Sequence, residues 1–114
     1  MTTRVLVPSG ALGLNYDKEA LELGLKKDPD IIAVDGGSTD SGPYYLGEGI
    51  SKYSRISTKI EWTGLMKARE SAKIPLLIGT AGTCGTDSAV DWFLEITQEI
   101  AQELKQSLKI AIIR

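Results

Sequence analysis

The sequence contains no histidine and a single cysteine, Cys84. The absence of histidine removes the commonest general base and the commonest ligand of transition metals. Acid–base chemistry within this chain therefore has to use Asp, Glu, Lys, Tyr or Cys. One cysteine excludes an internal disulfide and fits a reducing compartment, so we expect a cytoplasmic protein.

The sequence also lacks long apolar runs and an excess of basic charge. No run approaches the roughly 18 apolar residues that span a bilayer, and residues 1–7 do not have the layout of a signal peptide. The net charge of −2 provides no basic field for nucleic acid or anionic lipid. We therefore expect a small molecule as the partner, and neither a nucleic acid nor a membrane.

Four short, apolar, β-branched-rich runs predict strands. Uninterrupted runs of this kind are typical of strands buried on both faces, as in parallel sheets with helices on each side. The runs are residues 4–7 (RVLV), 31–34 (IIAV), 76–78 (LLI) and 110–113 (IAII).

Helical patterns lie between these runs. The first helix is predicted over residues 17–27, with Asp17 as its N-cap. The second should run from about Thr58 to Ala72, because Thr58 and Glu61 have capping-box spacing. The third has apolar residues at three- and four-residue spacing from Val90 to Leu108.

The order β-α-β-α-β-α-β predicts an α/β fold of the Rossmann-like kind. We expect a three-layer domain with a mostly parallel four-stranded sheet and helices on both faces, in strand order 3-2-1-4 or 2-1-3-4. The 114 residues should form a single domain. Because the chain stops directly after an apolar run, we expect the N-terminal part of a longer protein, or a domain completed by a partner or by homo-oligomerisation.

Three Gly-rich loops follow the first three predicted strands, where open parallel sheets bind ligands. The third loop, residues 79–88, leads into a helix, so its N–H groups and the helix dipole suit a phosphate or carboxylate. The alternative is that Thr86 or Asp87 only caps the helix. The candidate anion-binding residues here are Gly82, Thr83, Gly85, Thr86, Asp87 and Ser88.

The second loop, residues 35–42, contains two carboxylates, Asp35 and Asp40. They predict acid–base catalysis or a divalent cation, and the alternative is that both make turns with nearby backbone N–H groups. We assign no set of metal ligands. Ligand contacts are also predicted for Gly36, Gly37, Ser38 and Thr39, and for Ser9 in the first loop.

The segment of residues 42–57 is long and irregular, which is uncommon in compact domains. Tyr44, Lys52 and Arg55, with Lys59 beyond them, predict a lid that holds an anionic substrate. The alternative is that these charges are only solvated. Cys84 is a candidate nucleophile because a helix N-terminus lowers a thiol pKa, with a small buried apolar residue as the alternative.

The strings VPSGALGLNYD, IIAVDGGSTDSGPYYLGEGISKYSR and GTAGTCGTDSAVDWFLEI resemble, in order, the opening part of the acyclic terpene utilisation (AtuA-type) family. The resemblance covers nearly the whole chain and implies a segment of a longer protein. The family is associated with the catabolism of terpenoid acids through CoA thioesters, so the resemblance implies an organic acid or acyl-CoA as the ligand. It assigns no role to any residue.

These observations favour an enzyme domain, a lyase, isomerase or hydrolase, that binds a small anionic substrate. Asp35, Asp40 and Cys84 are its candidate catalytic residues, and a CoA thioester or a divalent cation is the candidate cofactor. A nucleotide- or CoA-binding module without chemistry of its own is the first alternative. A structural subdomain completed by a partner is the second.

Overall fold

A computed structural model describes residues 1–37 and 43–114 of the chain. The elements follow one another in the order β1 (Val5–Leu6), α1 (Lys18–Leu25), β2 (Ile31–Asp35), α2 (Pro43–Glu48), α3 (Arg55–Ala72), β3 (Leu76–Gly79) and α4 (Asp87–Glu103).

The described strands form one parallel sheet in the order β1-β2-β3. Val5 is paired with Ile31 in one ladder, and Ile32 with Leu76 in the other. Residues 110–113 belong to no strand, so the predicted four-stranded, Rossmann-like sheet is wrong. The observed order contradicts 2-1-3-4 and agrees with the first three strands of 3-2-1-4, whose fourth strand is missing. A run of β-branched residues favours extended backbone, but a strand also needs a ladder partner, and strand propensity does not provide one.

The helices α1, α3 and α4 pack on one face of the sheet. The register places Ile32, Val34 and Leu76 on that face, within a single apolar cluster that all three helices share. Val5 and Leu77 lie on the opposite face and are 55% and 56% exposed. The three-layer prediction is therefore corrected to two layers. The order β1-β2-β3 adds each strand on the same side of the previous one. With this order, right-handed crossovers place the helices that connect the strands on the same face of the sheet.

The helix ends agree with the sequence patterns in part. Asp17 caps α1 as predicted, because its carboxylate accepts the N–H groups of Glu19 and Ala20. Helix α3 begins earlier than predicted, after the N-cap Ser54, so Glu61 lies well inside the helix rather than at its start. Part of the segment predicted to be irregular forms the short helix α2.

Helices α3 and α4 are joined by an apolar contact and by ion pairs. The rings of Trp62 and Phe93 meet edge to face with centroids 4.7 Å apart, and Trp62 Nε1 donates to Thr97 Oγ1 over 3.0 Å. Nearer the surface, Glu99 accepts from both Arg55 and Lys59. No described helix is both long and apolar enough to cross a membrane.

Candidate functional site

The loops after β1, β2 and β3 meet at the carboxyl edge of the sheet, and we use that name for the region they form. The N–H of Leu12 donates to the carbonyl of Asp35 over 2.7 Å, which joins the first loop to the second. The N–H of Gly36 donates to the carbonyl of Gly79 over 2.6 Å, and the N–H of Thr83 donates back to the carbonyl of Gly36 over 3.3 Å. The described parts of the three loops therefore form one connected unit.

The glycines of the second and third loops pack against protein backbone. A Cβ at Gly37 would lie 2.2 Å from the Cα of Thr83, and one at Gly36 would lie 2.7 Å from the carbonyl oxygens of Gly79 and Thr80. At Gly82, where φ is +69°, a Cβ would lie 2.8 Å from Ala89. Gly36 and Gly37 thus allow the second loop to lie directly on the third, and Gly82 allows the third loop to lie on α4. The sequence pattern predicted instead that these glycines approach a ligand.

Thr83 is buried where the third loop meets the connection between α2 and α3. Its Oγ1 accepts the N–H of Lys52 over 2.9 Å and lies 3.1 Å from Ser51 Oγ. Its φ of +77° is unusual for a β-branched residue. The predicted ligand-binding hydroxyl of Thr83 therefore binds the chain's own backbone.

A row of polar side chains lies at the start of α4. Thr86 caps the helix by accepting the N–H of Ala89 over 3.2 Å, so the capping role is confirmed. Its Oγ1 lies 3.1 Å from Ser88 Oγ and 3.4 Å from Cys84 Sγ. Ser88 Oγ in turn donates to the carbonyl of Gly49 over 3.1 Å. Cys84, Thr86 and Ser88 thus lie together at the start of α4, and anion binding there stays a prediction.

Asp35 lies at the end of β2 with its side chain exposed. Its Oδ1 accepts the N–H of Gly37 over 3.0 Å, which is the turn contact considered from the sequence. Asp40, Ser38 and Thr39 lie outside the described residues. Within the described residues, no three acidic or thiol side chains come close enough to hold a metal ion.

The remaining predicted contacts of the third and first loops lie around this edge. Gly85 has a φ of +67° in the turn before α4, and Asp87 is exposed in the first turn of that helix. Ser9 Oγ donates to the carbonyl of Ala11 over 2.8 Å and so holds the turn of the first loop.

The side chains of the predicted lid have protein partners of their own. Arg55 pairs with Glu99 over 2.5 Å, and Lys59 pairs with Glu99 and Glu103 over 3.0 and 2.7 Å. The Lys52 amine lies 5.8 Å from the centre of the Tyr53 ring. The exposed ring of Tyr44 meets that of Tyr45 edge to face at 5.1 Å. Arg55 and Lys59 therefore extend towards α4.

Glu61, which is buried on α3, was not among the residues predicted to have a function. Its Oε1 accepts the N–H groups of Gly13 and Asn15 over 3.1 and 2.7 Å. Tyr16 OH donates to the carbonyl of Glu61 over 2.8 Å, and burial together with the negative charge of Glu61 raises the pKa of Tyr16. Its spacing could have indicated that it is buried, because Glu61 lies on the same side of the helix as the buried residues Leu65 and Ala68.

No protein-family model, curated protein or solved structure matches the chain. The resemblance to the acyclic terpene utilisation family therefore stays a prediction that rests on the three quoted strings.

Proposed function

We propose that the chain is the α/β domain of a cytoplasmic metabolic enzyme that binds a small anionic substrate at the carboxyl edge. The observation that supports this proposal is the convergence of the three loops beside the first turn of α4. Open parallel sheets bind ligands at this edge, and a helix N-terminus there favours an anion. An organic acid or an acyl-CoA fits both the geometry and the family resemblance.

The residues around this edge have complementary roles in the proposal. The first N–H groups of α4 bind the phosphate or carboxylate of the substrate. The hydroxyl of Ser88 joins them by turning from the carbonyl of Gly49, to which it otherwise donates. Asp35, exposed at the end of β2, either transfers a proton or contributes oxygen ligands to a divalent cation. Cys84, with its thiol beside Thr86, is the alternative reactive group.

Titration calorimetry with inorganic phosphate and with CoA tests the binding step. We expect wild-type protein to bind, Ser88→Ala to bind about tenfold more weakly through loss of one hydrogen bond, and Glu95→Gln, an exposed change on α4, to bind normally. Absence of binding by wild-type protein, or equal affinity in the Ser88 variant, would contradict this part of the proposal.

Asp35→Asn tests the chemistry separately. With a short acyl-CoA as substrate, the variant should bind normally and lose turnover, and a cation role would make wild-type turnover sensitive to EDTA. A stable Asp35→Asn variant with unchanged turnover would remove Asp35 from the mechanism. Binding without turnover in wild-type protein would favour the binding module without chemistry.

A second candidate function, a subdomain completed by a partner, is favoured by the open face of the sheet. Parallel sheets normally have both faces covered, yet Val5 and Leu77 are more than half exposed. Sedimentation of wild-type protein over a range of concentrations tests it for a second copy, and binding of an apolar dye tests it for an uncovered surface. Leu77→Lys should reduce either signal, and a monomer that binds no dye would speak against this candidate.

A further inference from the structure

Glu61 connects helix α3 to the first loop of the carboxyl edge. Glu61 is 7% exposed. One of its carboxylate oxygens accepts two N–H groups, those of Gly13 and Asn15. Both donors lie in left-handed backbone, with φ of +107° and +66°. Backbone bent in this way can direct neighbouring N–H groups towards one anion, while the N–H of the intervening Leu14 donates to the carbonyl of Ala11. The loop and the carboxylate therefore satisfy each other, since a buried carboxylate without donors would be strongly destabilising.

The same loop leads directly to the candidate catalytic residue. Leu12, which precedes Gly13, donates its N–H to the carbonyl of Asp35 over 2.7 Å. Leu12 is itself buried in the core that α3 shares. If Gly13 and Asn15 moved away from Glu61, Leu12 would move with them, and its bond to Asp35 at the end of β2 would be strained or broken.

We propose that Glu61 is a positioning residue for the carboxyl edge. It fixes the first loop on α3, and through the N–H of Leu12 it fixes the backbone of Asp35. The consequence for ligand affinity rests on the proposed function, whereas the consequence for the loop backbone does not.

Two substitutions separate the acceptor role of Glu61 from its charge. Glu61→Met keeps the length of the side chain and removes the acceptor, so amide hydrogen exchange at Gly13, Asn15 and Leu12 should become at least tenfold faster. Affinity for inorganic phosphate should fall about tenfold. Glu61→Gln keeps a carbonyl oxygen that can accept both N–H groups, so it should restore most of both losses, short of the charge-assisted part.

Ile96→Val is the matched control for general loss of stability. It removes one methyl group from a fully buried residue of α4 and should lower the melting temperature without changing phosphate affinity or exchange at Leu12. Equal loss of phosphate affinity in Ile96→Val and Glu61→Met would reduce Glu61 to a structural residue and overturn the proposal. Unchanged exchange at Leu12 in Glu61→Met would overturn it as well.

Phosphate binding tests the proposed anion site, and amide exchange at Leu12 tests the role of Glu61, so one proposal can fail without the other. If wild-type protein binds no phosphate, the proposed anion site fails for this probe, and exchange at Leu12 still decides the role of Glu61. If Glu61→Met does not fold, Glu61→Gln carries the test alone. The weaker bonds to a neutral acceptor must then speed exchange at Gly13, Asn15 and Leu12, and wild-type rates at all three would overturn the proposal.

Discussion

The backbone N–H of Lys52 donates to Oγ1 of Thr83 over 2.9 Å, and this bond joins the connection between α2 and α3 to the loop after β3. Thr83 is 1% exposed and the bond itself is partly buried, which limits the access of water to it. The loop after β3 carries no large apolar side chain, and this contact explains how it keeps a fixed position at the carboxyl edge.

Thr83→Val should destabilise the protein by about 1 kcal/mol, because it removes the hydroxyl that accepts the partly buried N–H of Lys52. Thr83→Ser keeps the hydroxyl and removes the β-branch from a residue with φ of +77°, so it should be neutral or slightly stabilising. Urea unfolding of both variants checks this. Equal losses in the two would show that the methyl packing of Thr83, and not its hydroxyl, holds the loop.

Gly37→Ala should destabilise the protein by about 3 kcal/mol or more, because the new methyl would meet the backbone of Thr83, which cannot yield as a flexible side chain can. Gly10→Ala is the matched control, since a Cβ there has no atom within 4 Å. Thermal melting of the two variants decides the matter. A Gly37→Ala variant as stable as the Gly10→Ala variant would mean that the second and third loops do not lie in contact.

The fold could be predicted from the sequence only as far as local pattern reaches. The runs around Val5, Ile32 and Leu77 marked real strands, but an uninterrupted apolar run does not reveal whether one face or both are covered. Residues 110–113 are similarly apolar and rich in isoleucine and still form no strand. Arg114, directly after this run, forms an ion pair with Asp91 in the first part of α4.

The candidate site was predicted with a similar limit. Gly36 and Gly37 were predicted to contact a ligand, and the sequence could not show that the backbone of the third loop lies directly against both of them. Glu61 was interpreted as part of a capping box because its spacing from Thr58 fits one. Its actual partners, Gly13 and Asn15, are more than 40 residues away in sequence, and only the tertiary fold brings them together.

Stability should fall in acid partly through Glu99. Hydrogen bonds from Arg55 and then Lys59 lower the pKa of Glu99 below its ordinary value of 4.5. A carboxylate with a lowered folded-state pKa contributes stability above its unfolded pKa, and this contribution is lost as the pH falls through the folded-state pKa. Glu99→Gln should therefore melt below wild type at pH 7, and the difference should shrink from about pH 4.5 downward.

Melting curves from pH 2.5 to 8 check this, with Glu95→Gln as a control on the same helix. The difference should also shrink in high salt, because the ion pairs are at the surface. On the basic side the sign reverses. Hydrogen bonds to Glu103 and Glu99 raise the pKa of Lys59, so its contribution is complete below 10.5 and is lost as the pH rises through the raised value. A pH-independent difference between Glu99→Gln and wild type would contradict the assignment.

The two faces of the sheet should respond differently to the same kind of substitution. Val34 is 5% exposed in the core, and Leu77 is 56% exposed on the opposite face. Val34→Thr buries a hydroxyl without an assigned partner and should cost about 1–3 kcal/mol. Leu77→Thr places a good strand former on an open surface and should change stability by no more than about 0.5 kcal/mol. Urea unfolding at two protein concentrations checks both values. A loss at Leu77 as large as that at Val34 would contradict an open face in the isolated chain, and a loss that grows with protein concentration would show that a second copy covers Leu77.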